Sequence, residues 1–423
     1  MKVGILLERS SSWGGTYQYE LAVLQCLKDH AENSGHDFIV FGTEFHFEPL
    51  DFIAPHLSFA ELSRQKTSTR LVKSSSYLSR QQSTLPHRVV QKITSAYRLF
   101  LAKFQSPEQH TDALQRAAAA KDVDVMFYPG TFRQCLSLEL PYILTVFDVQ
   151  HRLQPEFPEV SSGGLWEQRE DLYARAIPRA LAIIVDSDAG KDDVLRFYQV
   201  PEERVKVLPY LPARSLWAAP AANKTTSVFA KYGIPNGYLF YPAQFWPHKN
   251  HAGLLHAVSL LRRHHDISLP VVLVGADKGN LDYVLGLIAE LDLTNQVFYL
   301  GFVPDEDIPE LYRNAFALVM PTFFGPTNIP VVEAFALECP VITSDIRGTR
   351  EQVADAGILV DPKSPEQICD GIHGLYQDPS LRLTLIERGK QQLARWGPKD
   401  YAQGLLEVLE GFEPIRRCWR VWE

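Results

Sequence analysis

Residues 238–257 read YLFYPAQFWPHKNHAGLLHA, and residues 323–345 read FFGPTNIPVVEAFALECPVITSD. In the first stretch, an apolar run predicts a strand that ends at Ala243 and a helix that begins soon after Asn250. In the second stretch, a Gly-Pro-Thr-Asn turn leads into a helix predicted to start near Pro330, and the apolar run PVITSD follows it. The order strand, polar turn and helix is typical of α/β proteins with a parallel sheet.

The same alternation runs through the rest of the chain. Apolar strand-like runs precede polar or helical segments at Val3–Leu7, FIVFG from Phe38, VDVMFYPG from Val123, YILTVFD from Tyr142, AIIVDSD from Ala182, YLFYPAQ from Tyr238, PVVLVGAD from Pro270, VFYLGF from Val297 and FALVMPT from Phe316. The predicted fold class is therefore α/β, with two doubly wound, Rossmann-like parallel-sheet domains. The carboxyl ends of both sets of strands would face a central cleft, where such folds bind ligands.

The chain length supports two domains. Its 423 residues exceed the roughly 250 residues at which single cores usually stop growing. We predict a first domain over residues 1–215, a second domain over residues 216–398, and a final helix over residues 399–423 that can cross back to the first domain. Residues from about 50 to about 109 are rich in Ser and Gln, and we interpret them as a sheet-poor insertion that carries function.

Composition excludes several classes of protein. The net charge of −8 argues against general nucleic-acid binding. The five cysteines are scattered without a metal-like pairing, so we expect them to be reduced. No apolar run approaches the roughly 18 residues of a membrane span, and Arg9 interrupts the N-terminus before a signal-peptide core could form. These features predict a cytoplasmic location.

One segment, Leu62–Pro107, contains no Asp or Glu and carries nine basic residues: Arg64, Lys66, Arg70, Lys73, Arg80, Arg88, Lys92, Arg98 and Lys103. Apolar residues recur within it at helical spacing, at Val89, Ile93, Tyr97, Phe100 and Phe104. Two interpretations stay open. The segment could rest on the anionic inner face of the cytoplasmic membrane, or it could be an amphipathic helix packed on its own domain beside a solvated basic loop.

Taken together, these stretches resemble the retaining nucleotide-sugar transferases of glycosyltransferase family 4, of the glycosyl transferases group 1 type. Four further pieces support the resemblance: Gly14 with Gly15, DSDAGKDDV from Asp186, VFYLGFVPDEDIPELY from Val297, and GILVDPKSPEQI from Gly357. The likeness extends over nearly the whole chain and implies the GT-B fold. It also implies transfer of a hexose or deoxyhexose, of mannose, glucose or rhamnose type, from a nucleotide diphosphate sugar to a glycan or lipid-linked acceptor in cell-envelope polysaccharide or glycolipid assembly.

The resemblance assigns the donor diphosphate to the second domain. Lys249, just after a strand, would supply the positive charge that stabilises the leaving diphosphate. The turn formed by Gly325, Thr327, Asn328 and Ile329 opens a helix, so its backbone N–H groups and dipole would hold the same phosphates. No metal ion or other cofactor is expected, because these groups already provide positive charge.

The remaining donor contacts follow from the same resemblance. Glu333 would accept hydrogen bonds from the ribose hydroxyls, and Phe302 with Val303 would line the base pocket. Gly14 and Gly15 would let the backbone of the first domain close on the phosphates. Each feature alone has an ordinary structural explanation, such as a solvated lysine or a glutamate near a helix start. Their joint occurrence in order favours the functional interpretation.

Three positions depart from the family pattern. Gln244 stands where the family has an arginine, and Gly325 stands where it has the first of two glutamates, so the role of that glutamate could pass to Thr327 or Asn328. Phe147 replaces a family histidine. His151, four residues later, is our candidate active-site imidazole, with Asp148 orienting it or the acceptor; the alternative is a structural histidine.

Gln244 and Gly325 also keep a second hypothesis open, that the chain is a degenerate transferase that binds a nucleotide or glycan without catalysis. A third hypothesis is another enzyme of the same architecture. A phosphorylase lacks an evident cofactor lysine here, and an epimerase would act on the free nucleotide sugar without an acceptor.

Overall fold

A computed structural model describes residues 1–7, 14–42, 49–52, 54–62, 107–213, 216 and 227–419 of the chain. The basic residues between Arg64 and Lys103, for which membrane contact was predicted, lie outside the described residues. Within the described ranges, no helix combines the length and the apolar character that crossing a bilayer requires.

The first sheet has seven parallel strands in the order β3-β2-β1-β4-β5-β6-β7. Its strands are β1 (Lys2–Leu6), β2 (Asp37–Gly42), β3 (Leu57–Glu61), β4 (Val125–Tyr128), β5 (Tyr142–Thr145), β6 (Ala182–Val185) and β7 (Val205–Val207). All pairings are parallel, so the carboxyl ends of these strands lie along one edge.

The second sheet has six parallel strands in the order β10-β9-β8-β11-β12-β13. Its strands are β8 (Tyr238–Pro242), β9 (Val271–Val274), β10 (Val297–Tyr299), β11 (Ala315–Met320), β12 (Val341–Ser344) and β13 (Gly357–Val360). Strand β9, the neighbour of the edge strand β10, is buried over all four residues, because helices cover both faces of the sheet.

Helices connect the strands of both sheets. They are α1 (Gly15–His30), α2 (Pro107–Ala120), α3 (Gln150–Leu153), α4 (Pro158–Ser161), α5 (Leu165–Ala176), α6 (Asp188–Tyr198), α7 (Val228–Tyr232), α8 (His251–His265), α9 (Leu281–Glu290), α10 (Ile308–Arg313), α11 (Ile329–Ala336), α12 (Arg347–Val353), α13 (Pro365–Gln377), α14 (Pro379–Leu393) and α15 (Pro398–Arg416). This architecture confirms the predicted fold class of two parallel-sheet α/β domains.

Strand β3 lies inside the segment that was predicted to be sheet-poor, and the sequence pattern did not predict this strand. The strand pairs in parallel with β2 and forms the edge of the first sheet. Of its five residues only Leu57 is buried. An edge strand with one buried side chain lacks the apolar run by which the other strands were predicted.

The last helix, α15, packs against α1 in the first domain. Leu405 and Leu409 are fully buried in the core that includes β1 and α1. The hydroxyl of Tyr401 is hydrogen-bonded to the hydroxyl of Tyr19, and both rings are buried. The end of the chain thus stabilises the domain in which the chain began.

Truncation of Leu405 tests this packing. We expect Leu405→Ala to lower the free energy of unfolding by about 2–5 kcal/mol, because a buried leucine is replaced by a cavity. Leu383→Ala, at an exposed leucine of α14, is the matched control and should change it little. Guanidinium unfolding monitored by circular dichroism measures both, and equal stability of the two variants would contradict the packing role.

Candidate functional site

A cleft of about 530 Å³ lies between the two domains, at the carboxyl ends of both sheets. It brings together all but one of the residues predicted for the site: Gly14, Gly15, Asp148, Gln244, Lys249, Phe302, Val303, Gly325, Thr327, Asn328, Ile329 and Glu333. The exception is His151.

Lys249 is fixed by the backbone around it. The chain turns at Asn250, which has φ 55°, and the buried Asn250 amide donates hydrogen bonds to the carbonyls of Pro321 (2.9 Å) and Pro362 (2.7 Å). The side-chain oxygen of Asn250, Oδ1, accepts from the N–H of Gly253 at the start of α8 (3.0 Å). These bonds tie the Lys249 loop to the ends of β11 and β13, so the lysine is held at the floor of the cleft.

Burial lowers the pKa of Lys249 to about 8, against the opposing effects of the Asp148 and Glu159 carboxylates. The lysine is therefore mostly charged at neutral pH and loses its charge at alkaline pH. Its Nζ atom donates to Oδ1 of Asn328 at 3.4 Å. The Nδ2 atom of Asn328 is buried without a hydrogen-bond partner among the described residues. An ammonium beside an unsatisfied amide donor is suited to an anionic oxygen.

The turn before α11 differs from the prediction that its backbone N–H groups are free. Asp186, at the end of β6, accepts from both the N–H (3.1 Å) and the hydroxyl of Thr327. The N–H of Asn328 donates to Oε1 of Gln352 (3.0 Å). Within the described part of the chain, the N–H groups of Gly325 and Ile329 are the two in this turn without such a bond. They lie in the same cleft as the side chains of Asn328 and Lys249.

Glu333 faces the cleft from α11, one turn after the start of the helix. Its side chain accepts a hydrogen bond from the hydroxyl of Tyr312 at 2.8 Å, and the residue is only 8% exposed. Burial raises the pKa of Glu333 to about 7, although the Tyr312 bond acts in the opposite direction. The carboxylate oxygens keep lone pairs that the Tyr312 hydroxyl does not use. They can accept hydrogen bonds from the two hydroxyl groups of a ribose in the cavity.

The two domains contact each other across the mouth of the cleft. A Cβ atom at Gly14, which has φ 61°, would lie 3.3 Å from Nε2 of Gln244 in the second domain. Gln18 of α1 donates to Asp305 at 2.7 Å. Phe302 is 67% exposed and Val303 is buried, so Phe302 presents an apolar ring at this end of the cavity.

His151 lies outside the cleft, which corrects its assignment as the active-site imidazole. The residue is fully buried, with Nε2 at 3.1 Å from Oε2 of Glu170 and its ring edge-on to Tyr173. Burial and the charge of Arg169 lower the pKa of His151, so the ring is a neutral structural group. A position just after a strand did not determine the direction of the side chain.

Asp148 does line the cleft, but its carboxylate is bound by Arg169 at 2.6 Å and by the N–H of Gln150 at 2.8 Å rather than by His151. Burial is the largest influence and raises its pKa, yet Arg169 and Gln150 together hold the pKa below its ordinary value. Asp148 is therefore a permanent anion in the cleft.

Several lining residues were not predicted from the sequence. They include Tyr210, Trp246, His248 and Asp305. The imidazole that reaches the cleft belongs to His248, whose position directly before Lys249 is the sequence signal that could have identified it. Within the described ranges, no three His, Cys, Asp or Glu side chains come together as a metal site.

Comparison with known proteins identifies the second domain. The model of the family described as glycosyl transferases group 1 matches residues 226–392. The match lies within the predicted second domain, residues 216–398. The chain is 31% identical over 218 residues to O-antigen chain mannosyltransferase B of Escherichia coli, covering 51% of this chain and 57% of the relative. It is 26% identical over 228 residues to O-antigen chain mannosyltransferase RfbU of Salmonella typhimurium, covering 53% and 58%. The chain thus spans little more than half the length of these curated relatives.

Solved structures share the architecture of both domains. Sucrose-phosphate synthase from Thermosynechococcus elongatus superimposes with a TM-score of 0.71 at 16% identity, covering 98% of this chain and 100% of the other. HepE of Anabaena, solved in complex with UDP and glucose, gives 0.69 at 18% identity, covering 97% and 100%. Two parallel-sheet α/β domains around a central cleft constitute the GT-B fold, which confirms the predicted architecture.

A close backbone contact fixes the turn before α11. An ideal Cβ atom at Gly348 would lie 1.9 Å from the carbonyl oxygen of Pro326. We expect Gly348→Ala to displace the turn and weaken nucleotide binding at least about 10-fold, because backbone cannot yield as a flexible side chain can. Gly374→Ala, where no atom lies within 4 Å, is the control. Calorimetric titration with UDP, GDP, dTDP and ADP measures the effect, and unchanged affinity would show that the turn tolerates the methyl group.

The raised pKa of Glu333 predicts a pH dependence of stability. The folded protein holds this proton up to about pH 7, whereas an unfolded glutamate ionises near 4.5. The destabilising cost is therefore absent below about pH 4.5, grows between the two values and is complete above pH 7. Glu333→Gln should be more stable than the wild type at pH 8, by up to roughly 3 kcal/mol, with no such gain at pH 4.5. Urea unfolding across this range tests it, with Glu290→Gln as an exposed control.

Proposed function

We propose that the protein is a retaining glycosyltransferase that moves a hexose or deoxyhexose from a nucleotide diphosphate sugar to a glycan or lipid-linked acceptor. The observation that carries the proposal is the meeting of Lys249, the start of α11 and Glu333 around one cleft between two domains. These groups match the charges and hydroxyls of a nucleoside diphosphate. The relatives named as O-antigen mannosyltransferases favour a mannose-type sugar and an acceptor in cell-envelope polysaccharide assembly.

In the proposed reaction the acceptor hydroxyl attacks the anomeric carbon from the face that the diphosphate leaves. The bond between that carbon and the phosphate oxygen breaks, the new glycosidic bond forms, and the acceptor proton passes to the departing phosphate. Lys249, the Asn328 amide and the Ile329 N–H would stabilise the charge that develops on the phosphate. No metal ion is assigned a part, since this chain's own donors surround the phosphate position.

The first domain would supply the acceptor side. Asp148 and Tyr210 line the cleft opposite Lys249. The Asp148 carboxylate keeps a fixed direction because Arg169 holds it, so it can accept a hydrogen bond from a sugar hydroxyl of the donor or the acceptor. Holding both reactants in one geometry is the main contribution that such a site can make. An anionic membrane surface as partner of the basic segment remains part of the proposal.

The competing hypothesis of a nucleotide-binding protein without catalysis has one specific observation in its favour. Asp186 and Gln352 occupy backbone donors of the turn that would otherwise face phosphate. Binding without turnover would therefore select this hypothesis, and the variant described next distinguishes the two.

Lys249→Ala is the decisive variant. We expect it to reduce kcat by about 100-fold or more, because an interaction strengthened in the transition state is lost. Lys390→Ala, at an exposed lysine of the second domain paired with Glu338, is the control. The nucleotide is first identified by the rise in Tm with UDP, GDP, dTDP, ADP or CMP. Turnover is then measured with the sugar conjugates of the nucleotide that binds, and full activity of Lys249→Ala would refute the assignment.

A further inference from the structure

His248, the residue before Lys249, is a junction between the domains. Its backbone N–H donates to Oε1 of Glu159 at 2.9 Å, and its ring Nδ1 lies 2.5 Å from the same oxygen. Its backbone carbonyl accepts from the N–H of Phe323 at 2.8 Å. One residue thus connects the first domain, the Lys249 loop and the segment that leads into the phosphate-binding turn.

Glu159 reaches this junction from α4 of the first domain. Its side chain is only 6% exposed, and its second oxygen, Oε2, is buried without a partner among the described residues. Burial is the largest influence on its pKa and acts to raise it, but the two bonds from His248 outweigh burial and leave the pKa below the ordinary value. Glu159 is consequently a buried anion, which is costly unless positive charge lies nearby.

Aromatic packing fixes the same junction. The His248 ring stacks on Phe324, with ring centres 3.8 Å apart and planes 11° from parallel. Phe157, two residues before Glu159, packs edge-on against Phe324 at 5.3 Å. Gln154 donates to the carbonyl of Phe323 at 3.2 Å. The short first-domain segment around α4 therefore meets the second domain through apolar and polar contacts together, and Glu159 cannot shift without disturbing them.

His248 does not supply a positive charge to balance the buried carboxylate of Glu159. Burial and the neighbouring Lys249 lower the pKa of His248 to about 4, and the same two causes lower that of His251 to about 3. Both rings are neutral at physiological pH. The charged groups that act on Lys249 are the carboxylates of Asp148 and Glu159, both from the first domain. Asp148 already has a bonded cation in Arg169, whereas Glu159 has only the neutral His248.

We propose that Glu159 is a positioning residue for Lys249: its carboxylate holds the Lys249 loop through His248 and, together with Asp148, supplies the negative charge of the first domain that acts on the lysine ammonium. The inference rests on the proposed function only in its consequence for turnover. The physical arrangement is a property of the protein without substrate. A residue of the first domain thus positions the second-domain lysine that is proposed to bind phosphate.

The test measures the charge of Lys249 directly. Acetic anhydride modifies only the unprotonated amine, so the extent of Lys249 acetylation against pH, quantified by peptide mass spectrometry, gives the midpoint of its titration. We expect the midpoint in Glu159→Gln to move to lower pH than in the wild type, because an opposite charge has been removed. Glu159→Asp keeps the charge one methylene farther away and should fall between the two.

Glu351→Gln is the matched control. Glu351 is also a carboxylate that crosses between the domains, accepting from the N–H groups of Asp188 (2.9 Å) and Ala189 (3.1 Å) at the start of α6. It does not line the cleft that contains Lys249. Its loss should therefore weaken contact between the domains without moving the Lys249 midpoint. An equal midpoint in Glu159→Gln, Glu351→Gln and the wild type would overturn the positioning role.

A kinetic measurement separates this inference from the proposed function. If the protein turns over a nucleotide sugar, the alkaline limb of kcat/KM should move to lower pH in Glu159→Gln and stay in place in Glu351→Gln. Absence of turnover with every donor would count against the proposed function alone, since acetylation needs no sugar. A shifted acetylation midpoint together with an unshifted alkaline limb would show that Lys249 is positioned as described but is not the group that controls the rate, and would refute the link to turnover.

Discussion

The side-chain amide of Asn250 is the interaction on which the geometry of the cleft depends. It binds the chain just after β11 and just after β13, and it closes the first turn of α8. Because the amide is buried, each of these bonds would leave an unsatisfied polar group if it were broken, so the three segments keep one arrangement. Lys249 precedes Asn250 directly, and its position follows from that arrangement. The loop that carries Lys249 is thereby held rigidly at the edge of the sheet.

Contacts between the domains converge on the same region. Asp186 of the first domain binds Thr327 in the turn before α11, and Glu159 binds His248 beside Lys249. Glu351 makes the reverse contact, from the second domain to the start of α6. Buried carboxylates are expensive in the absence of partners, so these pairs favour a single relative placement of the domains. Although Lys249 and the turn before α11 lie in the second domain, they are arranged in part by the first.

The sequence predicted what depends on local pattern. Strands buried on both faces are continuous apolar runs, so most of both sheets was predictable, whereas the edge strand at Leu57–Glu61 was not. Lys249 and Glu333 were identified by a family resemblance, and both line the cleft. His151 was misplaced because the direction of a side chain after a strand is set by tertiary packing, here by Glu170 and Tyr173. The pairing of Asp186 with Thr327 joins residues 141 positions apart, which no local pattern can show.

The contribution of Glu159 and Asp186 to loops of the other domain has a consequence for evolution and engineering. Two-domain enzymes are often treated as interchangeable modules, in which one half selects the donor and the other the acceptor. Here a chimera that took only the second domain from this chain would inherit Lys249 and Thr327 without the carboxylates that arrange them. The unit that must be inherited together is the second domain with the segment around α4 and the end of β6. Recombination between relatives would therefore preserve a working site only where both halves of each cross-domain pair travel together.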